Sequence, residues 1–257
     1  MRVTFPRVVR AEWTKLFSLR SMWFVFGLVT LLTVGLAGVI GWVAHRDAGV
    51  EQSVADAVVR AFLGIDVFSL IIGVFGIMLM TGEYGSGLIR ATLAAVPRRL
   101  PVLFSKAVVL VAATAPLMLV VCVASFLASQ VFIPAGHRID FGDAGVIRAT
   151  LGAAASPVAM GLLGLGTGAI LRHTAGAITG YVTAMLVVPA LLPAALPESV
   201  RDDIVPYSPV AASQAMYAIG ASNPFKMLSP GAGAVVLLAW VVVLLAGGAA
   251  VLWRRDA

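Results

Sequence analysis

The sequence predicts an all-α integral membrane protein with six transmembrane helices preceded by an amphipathic helix. Of its 257 residues, 60% are hydrophobic and only 12% are charged, and the mean hydropathy is +1.01. Soluble domains carry about 25% charged residues and about 45–50% apolar ones, so this chain has too little polar surface to stay in water. The same composition excludes a disordered chain, a disulfide-stapled secreted domain and a soluble nucleic-acid-binding protein.

Residues 1–20 precede the first long apolar run and are predicted to form a cytoplasmic amphipathic helix. Trp13 and Leu16 belong to an apolar face at helical spacing, and Glu12 and Lys15 are assigned to the opposite, polar face. A basic helix that also carries aromatic side chains is typical of a segment lying in the headgroup layer. Such an elbow helix either anchors the topology or touches a cytosolic partner.

The transmembrane domain is predicted over residues 21–257. A helix needs about 20 mostly apolar residues to cross the hydrocarbon core. Apolar runs of this length give the predicted spans, at residues 21–44, 61–82, 104–130, 149–171, 174–196 and 231–253. The first run is too long for the apolar region of a signal peptide, which has about 7–15 residues.

The distribution of charge supports six spans with both termini in the cytoplasm. In that orientation 12 of the 18 basic residues lie in inner segments beside three acidic residues, whereas outer segments hold six basic and eight acidic residues. Cytoplasmic loops are the ones enriched in Lys and Arg. A seventh span would place Arg254 and Arg255 outside, so the proline-broken segment 197–230 is predicted to form extracellular re-entrant pieces.

The first inner loop, residues 83–101, has the pattern of a docking segment. It opens with a glycine-rich stretch, continues as the helix-forming run Leu88 to Val96, and is stopped by Pro97. A short helix on a hinged loop across the inner ends of two spans suits the docking of a soluble partner. An ordinary charged connector is the alternative.

Two stretches of the sequence carry a resemblance to a known family. In the inner loop, Glu83-Tyr84 is followed by a characteristic set of residues: Gly87, Ile89, Arg90, Thr92, Leu93, Pro97, Arg99 and Lys106. This loop resembles that of ABC-2-type transporter permeases. The run Arg10-Ala11-Glu12-Trp13-Thr14-Lys15-Leu16, with Leu19-Arg20-Ser21, resembles the helix before the first span in actinobacterial-type ABC exporter membrane subunits.

The resemblance implies a type V exporter-like architecture and a permease that works with a separate ATPase. It implies a homodimer, or a dimer with a related permease, bound to two copies of an ABC ATPase in the plasma membrane. ATP and Mg²⁺ would belong to that partner, and the transported substrate would be hydrophobic or amphipathic and exported.

The resemblance also assigns roles to individual residues. The ATPase-docking coupling loop would use Glu83, Tyr84, Gly87, Ile89, Arg90, Thr92, Leu93, Pro97 and Arg99. The elbow helix would use Glu12, Trp13, Lys15 and Arg20.

No catalytic, cofactor-binding or metal-binding residues are predicted. An ATPase would need Gly-x-x-x-x-Gly-Lys-Ser/Thr, and the sequence contains no Gly-Lys pair. An intramembrane protease would need polar catalytic groups at membrane depth, whereas the three histidines fall in connectors. The single cysteine, Cys122, sits in an apolar run and is expected to be buried.

Asp66 is the only candidate for a charged residue deep in the predicted spans, and it is a possible pathway residue. Either it lies at a hydrated outer mouth or pairs with Arg60, or it contacts or couples to a substrate. The pairs Gly164–Gly168 and Gly176–Gly180 are expected to pack helices closely. The competing function is a membrane carrier not driven by ATP, or a membrane scaffold of a sensor complex.

Overall fold

A computed structural model describes residues 4–18, 20–46, 53–89, 100–220 and 227–254. The regular elements in these ranges are helical. In chain order the α-helices are α1 (Phe5–Ser18), α2 (Arg20–Arg46), α3 (Val54–Phe62), α4 (Ile65–Gly85), α5 (Leu100–Gln130), α6 (Val146–Leu171), α7 (Thr174–Val182), α8 (Val188–Ala195), α9 (Glu198–Ile204), α10 (Pro209–Tyr217) and α11 (Pro230–Arg254).

The predicted fold class is confirmed. Within the described ranges, six helices are long and apolar enough to cross a membrane: Arg20–His45, Val54–Gly85, Leu100–Gln130, Val146–Leu171, Thr174–Leu192 and Pro230–Arg254. The stretch between α8 and α11, predicted not to span, is not among them. It folds into the short helices α9 and α10, with a 3₁₀ turn at Val205–Tyr207 between them.

The second span begins earlier than the predicted residue 61. Ser53 caps α3, because its Oγ accepts a 3.1 Å hydrogen bond from the backbone N–H of Asp56. The helical path then breaks at Leu63-Gly64 before α4 begins. The predicted span began immediately after Arg60, and the charged helical turn before that residue was therefore left out.

The fourth span is the central helix of the bundle. Of the six candidate spans, α6 is the most buried, and it packs against α4, α5, α10 and α11. Its contact with α4 is a backbone contact: a Cβ on Gly164 would collide with the carbonyl of Gly73, and one on Gly76 with the carbonyl of Gly161. Glycine therefore fixes how closely these two helices approach.

The predicted glycine pairs differ in what they pack against. Gly164 and Gly168 both face α4, since a Cβ on Gly168 would lie 3.0 Å from the Ile77 carbonyl oxygen. A Cβ added at the other two glycines would contact only atoms of their own hairpin. On Gly176 it would lie 3.4 Å from His173 Nδ1, and on Gly180 it would lie 3.8 Å from a Leu171 methyl group. In the described part of the chain, the second pair is therefore not a site of close helix packing.

The fifth span is interrupted by a π-helical turn. α7 passes into the π turn Thr183–Val187, and α8 continues the same path as far as Ala195. π turns occur mostly as single insertions within α-helices and are frequent at functional sites. The turn lies beside a cavity described below.

The N-terminal helix α1 packs against α5 through a single stripe. Val8, Glu12 and Leu16 are buried at intervals of four residues, whereas Trp13 is 39% exposed. The assignment of Glu12 to an outward polar face is therefore wrong. Its carboxylate lies on the inward stripe because it meets a buried cation there, which periodicity alone does not reveal.

Aromatic rings connect α1 to the start of the first span. The Phe17 ring lies 4.5 Å from that of Trp13 and 5.7 Å from that of Trp23 between ring centroids. Trp23 Nε1 also donates a 3.3 Å hydrogen bond to the Phe17 carbonyl. These contacts hold the direction in which the chain turns from the elbow helix into the bundle.

Candidate functional site

Two polar clusters lie at opposite ends of α4. Asp66 is near its first residue and Glu83 near its last, so at 1.5 Å per residue the two side chains are about 25 Å apart along the helix. This separation approaches the thickness of the hydrocarbon core, about 30 Å. Each cluster draws its other members from segments distant in the sequence.

The first cluster, called here the inner ion cluster, consists of Glu12, Lys15, Glu83 and Lys106. Lys106 Nζ lies 2.6 Å from Glu12 Oε2 and 2.6 Å from Glu83 Oε1. Lys15 Nζ lies 2.8 Å from Glu12 Oε1 and 3.0 Å from Glu83 Oε1. The four side chains form a closed ring that joins α1, the end of α4 and the start of α5.

The two lysines of the inner ion cluster differ in solvent exposure. The Lys106 side chain is only 3% exposed, whereas that of Lys15 is 47% exposed. Because a buried charge is costly unless it is paired, two carboxylates around Lys106 are what allow an ammonium group at that position. The ring carries two positive and two negative charges and is therefore neutral as a whole.

The carboxylates set the charge state of Lys15. Burial lowers the pKa of its amine, but the hydrogen bonds and charges of Glu12 and Glu83 outweigh this and raise the pKa above its ordinary value. Lys15 is thus held as an ammonium ion at neutral pH, on the solvent side of the ring.

The structure places only part of the predicted coupling loop. Glu83 is not on an exposed loop: it lies in the last turn of α4 and is buried in the inner ion cluster. Gly87 follows the helix in an exposed turn with a φ of 72°, and Ile89 is 3% exposed. The remaining predicted loop residues, Arg90, Thr92, Leu93, Pro97 and Arg99, lie outside the described residues.

Tyr84 connects the end of α4 to two other spans. The Arg172 guanidinium carbon lies 5.4 Å from the centroid of the Tyr84 ring, a cation–π distance. Arg172 Nη2 also donates a 2.8 Å hydrogen bond to the Val251 carbonyl near the end of α11. Arg172 itself adopts the left-handed conformation, with a φ of 56°, in the two-residue turn between α6 and α7.

Of the elbow residues, Glu12 and Lys15 are brought together with Glu83, and Trp13 and Arg20 are not. Trp13 stacks on Phe17, and Arg20 is exposed at the first residue of α2. Lys106 lies at the centre of the cluster. The sequence indicated it only as one of the residues by which the inner loop resembles that of a known family. An acidic residue on the apolar stripe of α1 was the signal that a buried partner existed.

The second cluster, called here the outer carboxylate site, is built around Asp66. Asp66 Oδ2 accepts a 2.8 Å hydrogen bond from Gln214 Nε2, and Oδ1 accepts a 2.7 Å hydrogen bond from the Tyr217 hydroxyl. Gln214 and Tyr217 are three residues apart on α10 and so share one face of that helix. Neither was predicted, and Arg60 does not form an ion pair with Asp66 within the described residues.

A cavity of about 320 Å³ opens beside Asp66. It lies between α4, α6, the π turn with α8, the 3₁₀ turn, α10 and residues 227–228. Most of its wall is apolar, and its polar side chains are Asp66, Ser69, Ser208 and Gln214. Arg148 fixes the α10 side, because its guanidinium donates to the carbonyl oxygens of Met216 at 3.0 Å and Ala218 at 2.7 Å.

Within the described residues, no group of three His, Cys, Asp or Glu side chains is placed to hold a metal ion. Cys122 is a buried side chain of α5, and burial in an apolar run was the expectation for it. The two polar clusters are therefore the candidate functional sites of the described chain.

Comparison with known protein families identifies a matching family. A family model described as an ABC-2 family transporter protein matches residues 8–186. The matched region contains all four residues of the inner ion cluster and also Asp66, and it ends before α10. No curated protein matches the chain.

Proposed function

Because the chain belongs to the ABC-2 family of transporter proteins, we propose that it is the permease of an ATP-driven exporter whose ATPase is a separate subunit. The family makes it a multi-pass membrane component of an ABC transporter. ATP and Mg²⁺ are bound by the partner ATPase in this proposal. No Gly-Lys pair of a phosphate-binding loop occurs in the chain itself.

The inner ion cluster is the observation that supports docking of an ATPase. It fastens α1 to α4 and α5, the two helices between which residues 86–99 run. A force applied to that connection reaches both spans and the elbow helix through ion pairs of 2.6 to 3.0 Å. In this proposal, ATP binding moves the connection, and the cluster transmits the movement into the membrane.

The proposed orientation of the chain in the membrane rests on the charged groups at this same end of the bundle. The inner ion cluster, Arg172 and Arg254 lie at helix ends that the positive-inside rule assigns to the cytoplasm. In this proposal both termini are cytoplasmic, the membrane is the plasma membrane, and α9 and α10 lie at the extracellular side. Two permease copies, identical or related, with two ATPases complete the transporter in this proposal, and the direction is export.

Copurification tests the proposal. The tagged chain is purified from its native cells in mild detergent, and the preparation is assayed for vanadate-sensitive ATP hydrolysis and for a subunit with a phosphate-binding loop. Both are expected with the wild type. Arg90→Ala combined with Leu93→Ala, in the inner loop, is expected to reduce recovery of the ATPase. Asp202→Ala combined with Asp203→Ala, on exposed α9 positions, is the matched control.

A carrier that is not driven by ATP would give a different result. It would purify without an ATPase, and the inner-loop variant would transport as well as the wild type. That combined result would overturn the proposal.

A further inference from the structure

The cavity beside Asp66 has the composition of a binding site for an organic cation. Its wall is largely aliphatic, with Leu70, Met160 and Met185 among its side chains, and it contains one carboxylate. Small-molecule sites are typically apolar cavities of about 300–1,000 Å³ with a few placed polar groups. The volume of about 320 Å³ falls in that range.

The charge of Asp66 is not balanced by a cation in the described chain. Its two hydrogen-bond partners, the Gln214 amide and the Tyr217 hydroxyl, are neutral donors. They orient both carboxylate oxygens and place no positive charge beside them at this apolar cavity. A carboxylate in such surroundings is costly unless an opposite charge approaches it. No side chain of the described residues supplies that opposite charge, and a cationic ligand would supply it.

A second polar group in the same wall also lacks a partner. Ser69 is 3% exposed, and its Oγ has no hydrogen-bond partner within the described residues. It lies three residues after Asp66 on α4, and both residues line the cavity. A buried hydroxyl without a partner costs free energy, so its presence beside the carboxylate indicates a ligand that accepts or donates a hydrogen bond there.

The opposite wall is adaptable. Met185 and Leu186 belong to the π turn of the fifth span, and Pro189 and Ala190 follow in α8. Methionine side chains conform to ligands of irregular shape, and π turns are frequent at functional sites. This wall provides apolar contact without specifying one rigid outline.

From these observations we propose that the cavity at the outer carboxylate site binds an amphipathic organic cation, with its positive group at Asp66 and its apolar body against the fifth span. The proposal rests on the transport function proposed above and names its substrate class. An anion would be repelled by Asp66, and a neutral ligand would leave the carboxylate unbalanced. Two sources offer this chemistry, a free lipophilic cation and the ammonium headgroup of phosphatidylethanolamine.

Binding of two ions of the same shape and opposite charge tests the proposal. The full-length chain is purified in dodecyl maltoside, whose headgroup carries no ammonium group, without ATPase or ATP. Equilibrium dialysis measures tetraphenylphosphonium and tetraphenylborate, and binding to protein-free micelles is subtracted. The wild type is expected to bind the phosphonium saturably and to bind the borate much more weakly. Asp66→Asn is expected to weaken phosphonium binding at least about tenfold, because it removes a charge–charge attraction that at an effective protein dielectric exceeds the energy of a tenfold change in affinity.

Two further variants separate charge from folding. Asp66→Glu keeps the charge and is expected to retain the preference for the phosphonium. Asp203→Asn removes an exposed carboxylate from α9 and is expected to bind as the wild type does. Each variant is first shown to have the wild-type elution volume in size-exclusion chromatography.

A lipid arm distinguishes the two sources of the cation. The assay is repeated with phosphatidylethanolamine added to the dodecyl maltoside micelles. Weaker phosphonium binding by the wild type, but not by Asp66→Asn, assigns the site to the lipid headgroup, and unchanged binding assigns it to a free cation. Equal binding of both ions by the wild type, or wild-type phosphonium affinity in Asp66→Asn, overturns the proposal. Neither result bears on ATPase recovery in copurification, so the two proposals fail independently.

Discussion

Glu12 and Lys106 are 94 residues apart in the sequence, yet the Lys106 ammonium lies 2.6 Å from the Glu12 carboxylate in a buried ion pair. The pair attaches the N-terminal helix to the third span. Through the second carboxylate on Lys106, that of Glu83, the same ammonium also holds the end of the second span. Three separate segments therefore depend on one cation.

Lys106→Met is expected to be strongly destabilising. It leaves the buried carboxylates of Glu12 and Glu83 with only the partly exposed Lys15 as counter-charge. Removing one partner of a buried ion pair costs about 3–5 kcal/mol, and the midpoint of thermal unfolding in a fixed detergent should fall accordingly. Lys15→Met is the matched control and should cost less than about 1 kcal/mol, because that pair is half exposed. Equal effects of the two substitutions would contradict the assigned roles.

Glu12→Gln and Lys106→Met should not be additive. The first substitution removes one of the two buried charges that the second leaves without its main partner, so the double variant should be more stable than the sum of the single effects predicts. Residues within one ion-pair network typically show coupling of about 0.5–3 kcal/mol. Unfolding midpoints of the wild type, both single variants and the double variant complete the cycle. Simple additivity would mean that the two side chains act independently.

Gly164→Ala is expected to destabilise the bundle by about 1–3 kcal/mol, the usual cost of overpacking. The added methyl group would collide with the Gly73 carbonyl, so α4 and α6 would have to separate. Gly180→Ala is the control, since its methyl group would meet only a Leu171 methyl at 3.8 Å. Alanine is also the better helix former, so unfolding of this variant should be unchanged or slightly shifted upward.

Arg148→Met should loosen α10 without affecting the inner end of the bundle. The guanidinium donates two hydrogen bonds at the end of α10, to the carbonyls of Met216 and of the C-cap residue Ala218. Hydrogen–deuterium exchange measured by mass spectrometry should therefore rise in the peptide covering Pro209–Tyr217. Exchange in the peptide covering Phe5–Ser18 is expected to stay at the wild-type level. A uniform rise across both peptides would show a global loss of stability instead.

The spans could be predicted from the sequence, whereas the pairings between them could not. Apolar runs of sufficient length identify membrane helices directly, because lipid requires them. The charged turn of α3 was not predicted, because the predicted span began after Arg60 and the cap at Ser53 was given no weight. Composition also placed acidic and basic residues together at the inner end, but only the fold decides that Lys106 meets Glu12.

The outer carboxylate site shows the same limit. Asp66 stood out as a lone charge in an apolar run, but its partners Gln214 and Tyr217 come from sequence separations of 148 and 151 residues. A polar pair spaced three residues apart on a short, proline-flanked helix was the signal that could have been used. This spacing predicts a polar face on α10, but it does not indicate which span that face contacts.

The two-residue turn at Arg172-His173 also bears on how the protein is made. α6 and α7 are joined by this turn alone, which closes with Arg172 in a left-handed conformation. We expect the ribosome-bound chain to deliver the two helices to the bilayer as one helical hairpin. In the proposed orientation, the Arg172 charge then stays on the side of synthesis and does not have to be translocated.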